Sequence, residues 1–307
     1  ALAILGPISG ALAVLQPEGR PTDEGTPITS RFTAPGGDFR FSLTPRGQYA
    51  FSADLDDSPG SVSVARAEID AQFSLSINER LGLSLSVLPE VSWYSFSDAS
   101  GLIPGTDEPF DDLYRLDIVP AVRYALDRDW ALTGGFLLQF AGESDADVGD
   151  SVTYGGFAGV RYRFSDRFSA TFGALGKTRL EDSAIILPLV GVEWAITNTL
   201  NLSTSGTGVK ITNTLDDNWA VWFAGAYESR DYRLADDGPL PSGVVRDSRV
   251  PLKIGLDWSP NPGLKVSLEG GAIIWQEFEI DTRDSDTIAQ DNTDPAPYVG
   301  LSVQLRF

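Results

Sequence analysis

The chain has 307 residues, a formal net charge of −20 and a mean hydropathy of −0.07. It has no run of about 18 apolar residues, so a membrane-spanning helix is excluded. Cysteine and histidine are both absent, which excludes disulfides, thiolate metal sites, the usual zinc ligands and Ser-His-Asp catalysis, and the acidic charge argues against a nucleic-acid partner.

Residues 1–37 differ in composition from the rest of the chain. Residues 1–15 are small and apolar, and residues 17–37 are rich in Pro, Gly and Thr, without lasting alternation. We predict an ordered N-terminal segment that plugs the lumen of the following domain, lies on its rim or contacts a partner. The absence of methionine favours a processed chain that has lost a signal peptide.

From residue 38 onward, apolar and polar residues alternate almost continuously. Between Val62 and Ile77, the odd positions from Ala65 onward are Ala, Ile, Phe or Leu, and the even positions from Arg66 onward are charged or polar. A two-residue period places these two sets on opposite faces of a β-strand. The pattern therefore predicts one all-β domain over residues 38–307.

The connections between the predicted strands fall into two classes. Short polar turns are predicted at 78–80, 127–129, 165–167, 197–199, 215–217 and 260–262. Longer, acidic, Gly/Pro-rich loops are predicted near 97–111, 142–151, 179–183, 235–248 and 281–294. Short turns on one rim and long loops on the other are typical of a membrane β-barrel.

The strand number follows from the same pattern. We count about fourteen strands, or about twelve if the pair near residues 200–213 is too short to span a membrane. Both numbers are even, so both ends of the domain are expected on the same side of the membrane.

The last strand, residues 298–307, alternates most sharply. Its apolar face consists of Val299, Leu301, Val303, Leu305 and Phe307. Because this face runs into a terminal aromatic residue, the strand resembles the C-terminal signal strand of Gram-negative outer-membrane β-barrel proteins. The resemblance places an assembly signal at Tyr298, Val303, Leu305 and Phe307.

This resemblance implies a transmembrane, antiparallel, up-and-down β-barrel of about 12–14 strands in the bacterial outer membrane, with both termini periplasmic. It also implies outer-membrane lipid and the barrel-assembly machinery as partners. Outer-membrane proteases, phospholipases and acyltransferases work through a histidine, which this chain lacks, so we do not expect an enzyme.

Aromatic residues lie next to the predicted short turns. On a barrel they would form a girdle at one membrane interface, although barrel-edge packing in a soluble protein would also account for them. The predicted girdle consists of Tyr124, Trp130, Phe164, Phe168, Trp194, Trp219 and Trp258.

Inward-facing positions of the predicted strands carry charges of both signs. They could form a ring that biases anions or orients a solute, or they could simply pair with one another because inward positions must be polar. The predicted ring consists of Arg123, Arg161, Arg163, Glu193, Lys210, Lys253, Asp257, Lys265, Glu269 and Arg306.

The predicted long loops contain clusters of carboxylates. Carboxylates at alternate positions can bind Ca²⁺, but they can equally form a solvated, repulsive surface. No other cofactor is expected. The candidate calcium ligands are Glu143, Asp145, Asp147, Asp281, Asp284 and Asp286.

Two functions agree with this pattern. The first is a passive channel or transporter for small solutes or ions. The second is a non-conducting structural barrel that anchors a surface layer or another envelope protein through its acidic loops. A soluble β-protein without a pore is a third interpretation, in which the apolar rows would meet inside.

Overall fold

The computed structural model describes residues 39–307, so the predicted N-terminal segment lies outside the described residues. No helix in the described part of the chain is long and apolar enough to cross a membrane. The strands are β1 (Phe39–Asp54), β2 (Ser61–Ser76), β3 (Leu81–Ser97), β4 (Asp112–Ala125), β5 (Trp130–Glu143), β6 (Val152–Ser165), β7 (Phe168–Arg179), β8 (Asp182–Ala195), β9 (Leu200–Ser205), β10 (Gly208–Thr214), β11 (Trp219–Gly225), β12 (Glu228–Arg233), β13 (Val244–Asn261), β14 (Leu264–Asp281), β15 (Thr287–Thr293) and β16 (Ala296–Arg306).

Fourteen of these strands form a closed antiparallel barrel. Consecutive strands pair from β1 to β11, and the ring continues through β13, β14 and β16 back to β1. Strands β12 and β15 pair with the ring but are not part of it. The predicted up-and-down barrel is confirmed, with the larger of the two predicted strand numbers.

The two faces of the wall differ as the alternation predicts. On the outer surface, Leu268 is 62% exposed, and Ile69 and Phe223 are also exposed. Inward positions are polar and buried, as for Arg66, which is 3% exposed. In a soluble sandwich the apolar faces would meet inside, so this arrangement excludes that interpretation and is the one expected of a barrel in lipid.

Six short turns form one rim of the barrel, which we call the short-turn rim. Asp127 shows how they close: its Oδ1 accepts hydrogen bonds from the backbone N–H groups of Asp129 and Trp130 at 2.8 and 2.9 Å. Such local acceptors stabilise tight turns. Asn78, Thr197 and Asp216 make the same pair of bonds to the residues two and three positions later. The turn predicted at 260–262 falls partly within β13, which extends to Asn261.

The opposite rim, the long-loop rim, differs from the prediction in three places. Only residues 180 and 181 separate β7 from β8, where a longer loop was predicted at 179–183. The predicted loop 235–248 is wrong beyond residue 243 because β13 begins there, and the predicted loop 281–294 contains β15. Residues 244–249 and 287–293 pair as strands without a regular apolar face, so alternation could not reveal them.

The wall is incomplete on its long-loop half. Strands β9, β10 and β11 have six or seven residues, whereas β8 has fourteen. Consequently β8 pairs with β9 only through residues 193–195, and among the described residues its outer part, 182–191, has no strand partner on that side. The wall is thus interrupted between β8 and β13.

After β11 the chain leaves the wall and crosses the lumen as β12. This strand pairs with the outer half of β13, and its last residue, Arg233, meets Gly142 at the end of β5. Neighbouring residues with opposite orientations are both buried, for example Tyr232 and Arg233. A strand without an exposed face is interior, and β12 therefore lies inside the barrel.

An apolar core fills the long-loop end of the barrel interior. The loop between β3 and β4 folds into the mouth and buries Leu102, Ile103 and Phe110. These side chains join Tyr94 of β3 and Phe278 of β14, whose rings lie 5.0 and 6.2 Å from that of Phe110. The main core of the molecule therefore closes the axis of the barrel at this end.

Candidate functional site: the barrel lumen

Beneath the apolar core, ionised side chains connect β12 to the wall. Arg230 of β12 donates two hydrogen bonds to Glu90 of β3, at 2.8 and 3.0 Å, and the hydroxyl of Tyr232 donates a third at 3.0 Å. Charged hydrogen bonds of this two-point geometry hold both partners in one orientation. Strand β12 is therefore fixed to the opposite side of the lumen.

A second connection joins β2 to β13. The guanidinium of Arg66 pairs with Asp247 and donates to the Tyr94 hydroxyl at 2.8 Å. Tyr94 in turn donates to Asp247 at 2.7 Å, and Gln276 donates to the other oxygen of the same carboxylate at 2.7 Å. Both oxygens of this buried carboxylate are satisfied, as a buried charge requires.

Glu228, the first residue of β12, completes the arrangement. Its carboxylate accepts hydrogen bonds from Arg249 at 2.9 Å and from Arg230 at 3.0 Å, and the Lys253 ammonium lies 3.6 Å away. We call this set the buried charge layer, and it consists of Arg66, Glu90, Glu228, Arg230, Asp247 and Arg249. Among the described residues, the layer and the apolar core together occupy the long-loop end of the barrel interior.

The short-turn half of the lumen contains most of the charges predicted for the ring, largely in pairs. Arg161 and Glu193 lie 2.5 Å apart, and Arg163 lies 3.5 Å from Asp129. Lys265 lies 3.8 Å from Asp257. Arg123 occupies an inward position on β4, between Gly82 and Thr133 of the neighbouring strands, and Arg306 donates to Gln304 at 2.8 Å.

Other members of the predicted ring lie farther from the short-turn rim or make different contacts. Lys253 and Glu269 face each other at 3.8 Å, nearer the middle of the barrel. Lys210 lies over the ring of Trp222, with its Nζ 4.0 Å from the centroid, a cation–π geometry. The predicted residues therefore occupy several levels of the lumen instead of a single ring.

Trp222 is an inward-facing tryptophan that the sequence did not single out. Its ring lies directly over Gly255, where an added Cβ would come within 2.2 Å of the ring. Its Nε1 donates to Asp257 at 2.7 Å, and Ser267 donates to the same oxygen at 2.6 Å. The glycine is required because no side chain would fit under the ring.

The predicted girdle residues lie on the outer surface at the short-turn rim. Trp130, Tyr162, Phe164, Phe168 and Trp194 form a continuous row with ring centroids 4.4, 4.6, 5.2 and 6.1 Å apart. Tyr162 was not predicted. The rings of Trp219 on β11 and Trp258 on β13, two further girdle members, have centroids 6.2 Å apart. Tyr124 is exposed on the outer surface.

The residues of the predicted assembly signal have different environments. Phe307 exchanges backbone hydrogen bonds with Phe41 at 2.9 and 3.3 Å, and their rings stack 5.6 Å apart. Leu305 pairs with Leu43 of β1 and Val303 with Val266 of β14. Tyr298 instead faces the lumen, where its hydroxyl donates to Glu269.

The candidate calcium ligands are engaged within the protein or lie apart. Glu143 accepts a hydrogen bond from the backbone N–H of Ala235 at 2.6 Å, and Asp147 accepts one from the backbone N–H of Gly149 at 2.7 Å. Asp281 accepts one from the side-chain hydroxyl of Thr287 at 2.7 Å. In residues 39–307, no group of three or more acidic side chains has a geometry that could hold a metal ion. Asp145, Asp284 and Asp286 lie in the loops and are not drawn into such a group, and the calcium site stays a prediction.

No protein-family model matches the sequence, and no curated protein matches it significantly. Solved structures similar to this chain include the toluene transporter TodX of P. putida, with 9% identity, a TM-score of 0.43, and coverage of 89% of this chain and 91% of that one. A Pseudomonas aeruginosa FadL homologue has 10% identity and a TM-score of 0.43, covering 87% and 90%. KdgM porin has 14% identity and a TM-score of 0.35, covering 87% and 99%.

These structural neighbours are outer-membrane β-barrel proteins. The described part of this chain is itself a closed antiparallel barrel with exposed apolar side chains on its outside.

Sequence reasoning missed the buried charge layer. Residues 228–233 read Glu-Ser-Arg-Asp-Tyr-Arg, with charges at both odd and even positions. A strand with charges on both sides has no face for lipid, so the segment could not continue the wall after the apolar β11. That contrast was the available signal for an inward turn.

Proposed function

We propose that the chain is a passive channel for small hydrophilic solutes or ions in a bacterial outer membrane, with the short-turn rim and both termini on the periplasmic side. The exposed apolar outer surface and the aromatic row at one rim support the membrane placement. Outer-membrane lipid and the barrel-assembly machinery are its proposed partners.

One observation carries the channel proposal. Charged side chains of the short-turn half face the lumen and keep contact with solvent, as shown by Lys265 and Glu193, whose side chains are 34% and 23% exposed. Hydrated charges inside a barrel are characteristic of an aqueous channel. On this proposal, the short-turn half is a water-filled vestibule, and β12 forms the constriction above it.

A planar-bilayer recording of the purified protein tests this function. A channel gives steady, salt-dependent current steps at low voltage. Deletion of residues 228–233, joined by a short Gly-Ser linker, should enlarge those steps because it removes the strand that crosses the lumen. Heat-modifiable mobility on a denaturing gel verifies that each variant is folded.

The second candidate is the non-conducting structural barrel. The apolar core and the buried charge layer favour it because together they close one end of the lumen. In this case the intact protein carries no current, and its acidic loops would bind a surface layer or another envelope protein. Current from the intact protein would reject this candidate.

A further inference from the structure

A cavity of about 740 Å³ lies on the long-loop rim, between the β7–β8 turn and the hairpin of β14 and β15. Its two walls come from distant parts of the chain, and the Ser285 hydroxyl joins them by donating to the backbone oxygen of Glu181. The charged and polar lining includes Arg179, Glu181, Asp182, Ser183, Glu279 and Asp281.

The position of this cavity matters because the axis is closed. Tyr232 and Phe278, in the apolar core above the buried charge layer, are both fully buried. The cavity instead adjoins the outer end of β8, where the wall is interrupted and residues 182–191 lack a partner strand among the described residues. On the long-loop side, the open space available to an entering solute therefore lies away from the barrel axis.

The cavity has an excess of negative charge. Arg179, Arg233 and Arg246 are the arginines that pair with its carboxylates. The lining contains four carboxylates, and counted together with these three arginines they leave a net charge of −1 (3 − 4). The four are Glu181, Asp182, Glu279 and Asp281, whereas Asp231 is not part of the lining and pairs with Arg179 and Arg246.

The positions of the charges increase this effect. The side chains of Arg179 and Arg233 are only 4% and 3% exposed, whereas those of Asp182 and Glu181 are 44% and 29% exposed. The cationic groups thus lie behind the carboxylates, and the oxygens face the space. A cleft lined by one sign of charge concentrates ions of the other sign.

We propose that this cavity is the long-loop entrance of the solute route and that it favours cationic over anionic solutes. The inference rests on the channel function proposed above and adds an off-axis path and a charge class to it. The apolar core on the axis directs solutes to the side, and the buried arginines leave carboxylate oxygens at the point of entrance.

The absence of cysteine from the chain permits a direct test with single-cysteine variants. Ser183→Cys places a thiol in the cavity lining, and Ser100→Cys places one on the exposed loop that covers the axis. Each variant, in lipid vesicles, is treated with a cationic and with an anionic methanethiosulfonate reagent of similar size, and modification is followed by mass spectrometry. Thr287→Cys, on the other wall, replaces Ser183→Cys if that variant fails to fold.

The quantity compared is the ratio of the cationic to the anionic reaction rate. We expect this ratio to be about tenfold higher at residue 183 than at residue 100, because a potential of a few kT attracts the cationic reagent and repels the anionic one. Adding Glu279→Gln on the facing wall should reduce this ratio, whereas Asp98→Asn in the loop over the axis should leave it unchanged. The same ratio of cationic to anionic reaction rates at residues 183 and 100 would overturn the proposed charge preference.

Current recordings on the same variants test the route. Modification at residue 183 should reduce the ion current by at least half, and modification at residue 100 should not change it. The reverse result, with normal current before modification, would overturn the off-axis route and leave the channel function intact. A wild-type protein that passes no current would overturn the channel function and the route together, while the ratio of reaction rates would still report the charge of the cavity.

Discussion

Arg230 of β12 and Glu90 of β3 form an ion pair across the barrel lumen, with two hydrogen bonds of 2.8 and 3.0 Å. The two residues are 140 positions apart in the chain, and both are buried. Burying an ion pair requires removal of water from both groups, so each partner depends on the other for compensation. The pair therefore fixes the position of the strand that closes the lumen.

Glu90→Gln should strongly destabilise the barrel. The substitution leaves the buried Arg230 guanidinium without its main counter-charge, and loss of one partner from a buried pair costs about 3–5 kcal/mol. Urea unfolding in lipid vesicles, followed by tryptophan fluorescence, measures the change in the free energy of unfolding. A second substitution, Arg230→Gln, should recover part of the loss because it removes the uncompensated charge.

Asp150→Asn is the matched control for this experiment. Asp150 lies 3.1 Å from Arg283, but both side chains are largely exposed, at 46% and 63%. Exposed pairs contribute about 0–1 kcal/mol, so this variant should remain close to the wild type. If Glu90→Gln unfolds no more easily than Asp150→Asn, the buried charge layer does not hold β12 in place.

Phe307→Ala should reduce the folded fraction of the protein in outer membranes. Phe307 exchanges backbone hydrogen bonds with Phe41 and stacks on its ring, so it closes the β1–β16 seam at the short-turn rim. The substitution keeps the backbone bonds and removes the ring. Heat-modifiable mobility of membrane fractions measures the folded fraction.

Phe136→Ala provides the comparison, since Phe136 is also exposed on the outer surface but lies within the wall, away from the seam. An equal loss of folded protein in both variants would mean that any exposed ring has the same effect. Refolding of Phe307→Ala in detergent, without the assembly machinery, separates loss of stability from loss of recognition.

Trp222 and Trp258 should respond differently to quenchers in the lipid. Trp222 is buried in the lumen beside Asp257, whereas Trp258 is exposed on the outer surface next to Trp219. Brominated lipids quench only rings that contact them. Trp258→Phe should therefore lower the quenchable part of the fluorescence, and Trp222→Phe should not.

The opposite result for this pair of variants would mean that the two faces of the wall are exchanged. The membrane placement would then be wrong, because the polar face would be in contact with lipid.

Asp127 should stabilise its turn in a pH-dependent way. The backbone N–H groups of Asp129 and Trp130 donate to its carboxylate and lower its pKa from the ordinary value of 3.8. Because the pKa is lower in the folded state, the charged carboxylate stabilises the fold above pH 3.8, and this contribution is lost as the pH falls through the folded pKa.

The difference in unfolding free energy between wild type and Asp127→Ala should thus be constant at neutral pH and shrink in acid. Asp127→Asn should behave differently, since an amide oxygen can accept the same bonds without titrating, as Asn78 does in the first short turn. A difference for Asp127→Ala that does not change with pH would show that the charge has no role in the turn.

Much of the barrel follows from the sequence because lipid imposes a local rule. Every second side chain of a wall strand must be apolar, so Leu301 and Val299 reveal their face without knowledge of their neighbours. Short turns are local as well, since a residue such as Asp127 accepts bonds only from the next few residues. The sequence therefore predicted the barrel, its short-turn rim and the inward positions of Arg161 and Glu193.

The closure of the lumen was decided by tertiary structure alone. Glu90 and Arg230 share no local pattern, and their contact exists because β12 leaves the wall where β9, β10 and β11 are too short to continue it. The interior has no lipid and therefore no alternation rule, and pairing there depends on residues that only the closed barrel brings together. For the same reason, the sequence showed that charges such as Arg66 would face inward but could not show which of them would meet.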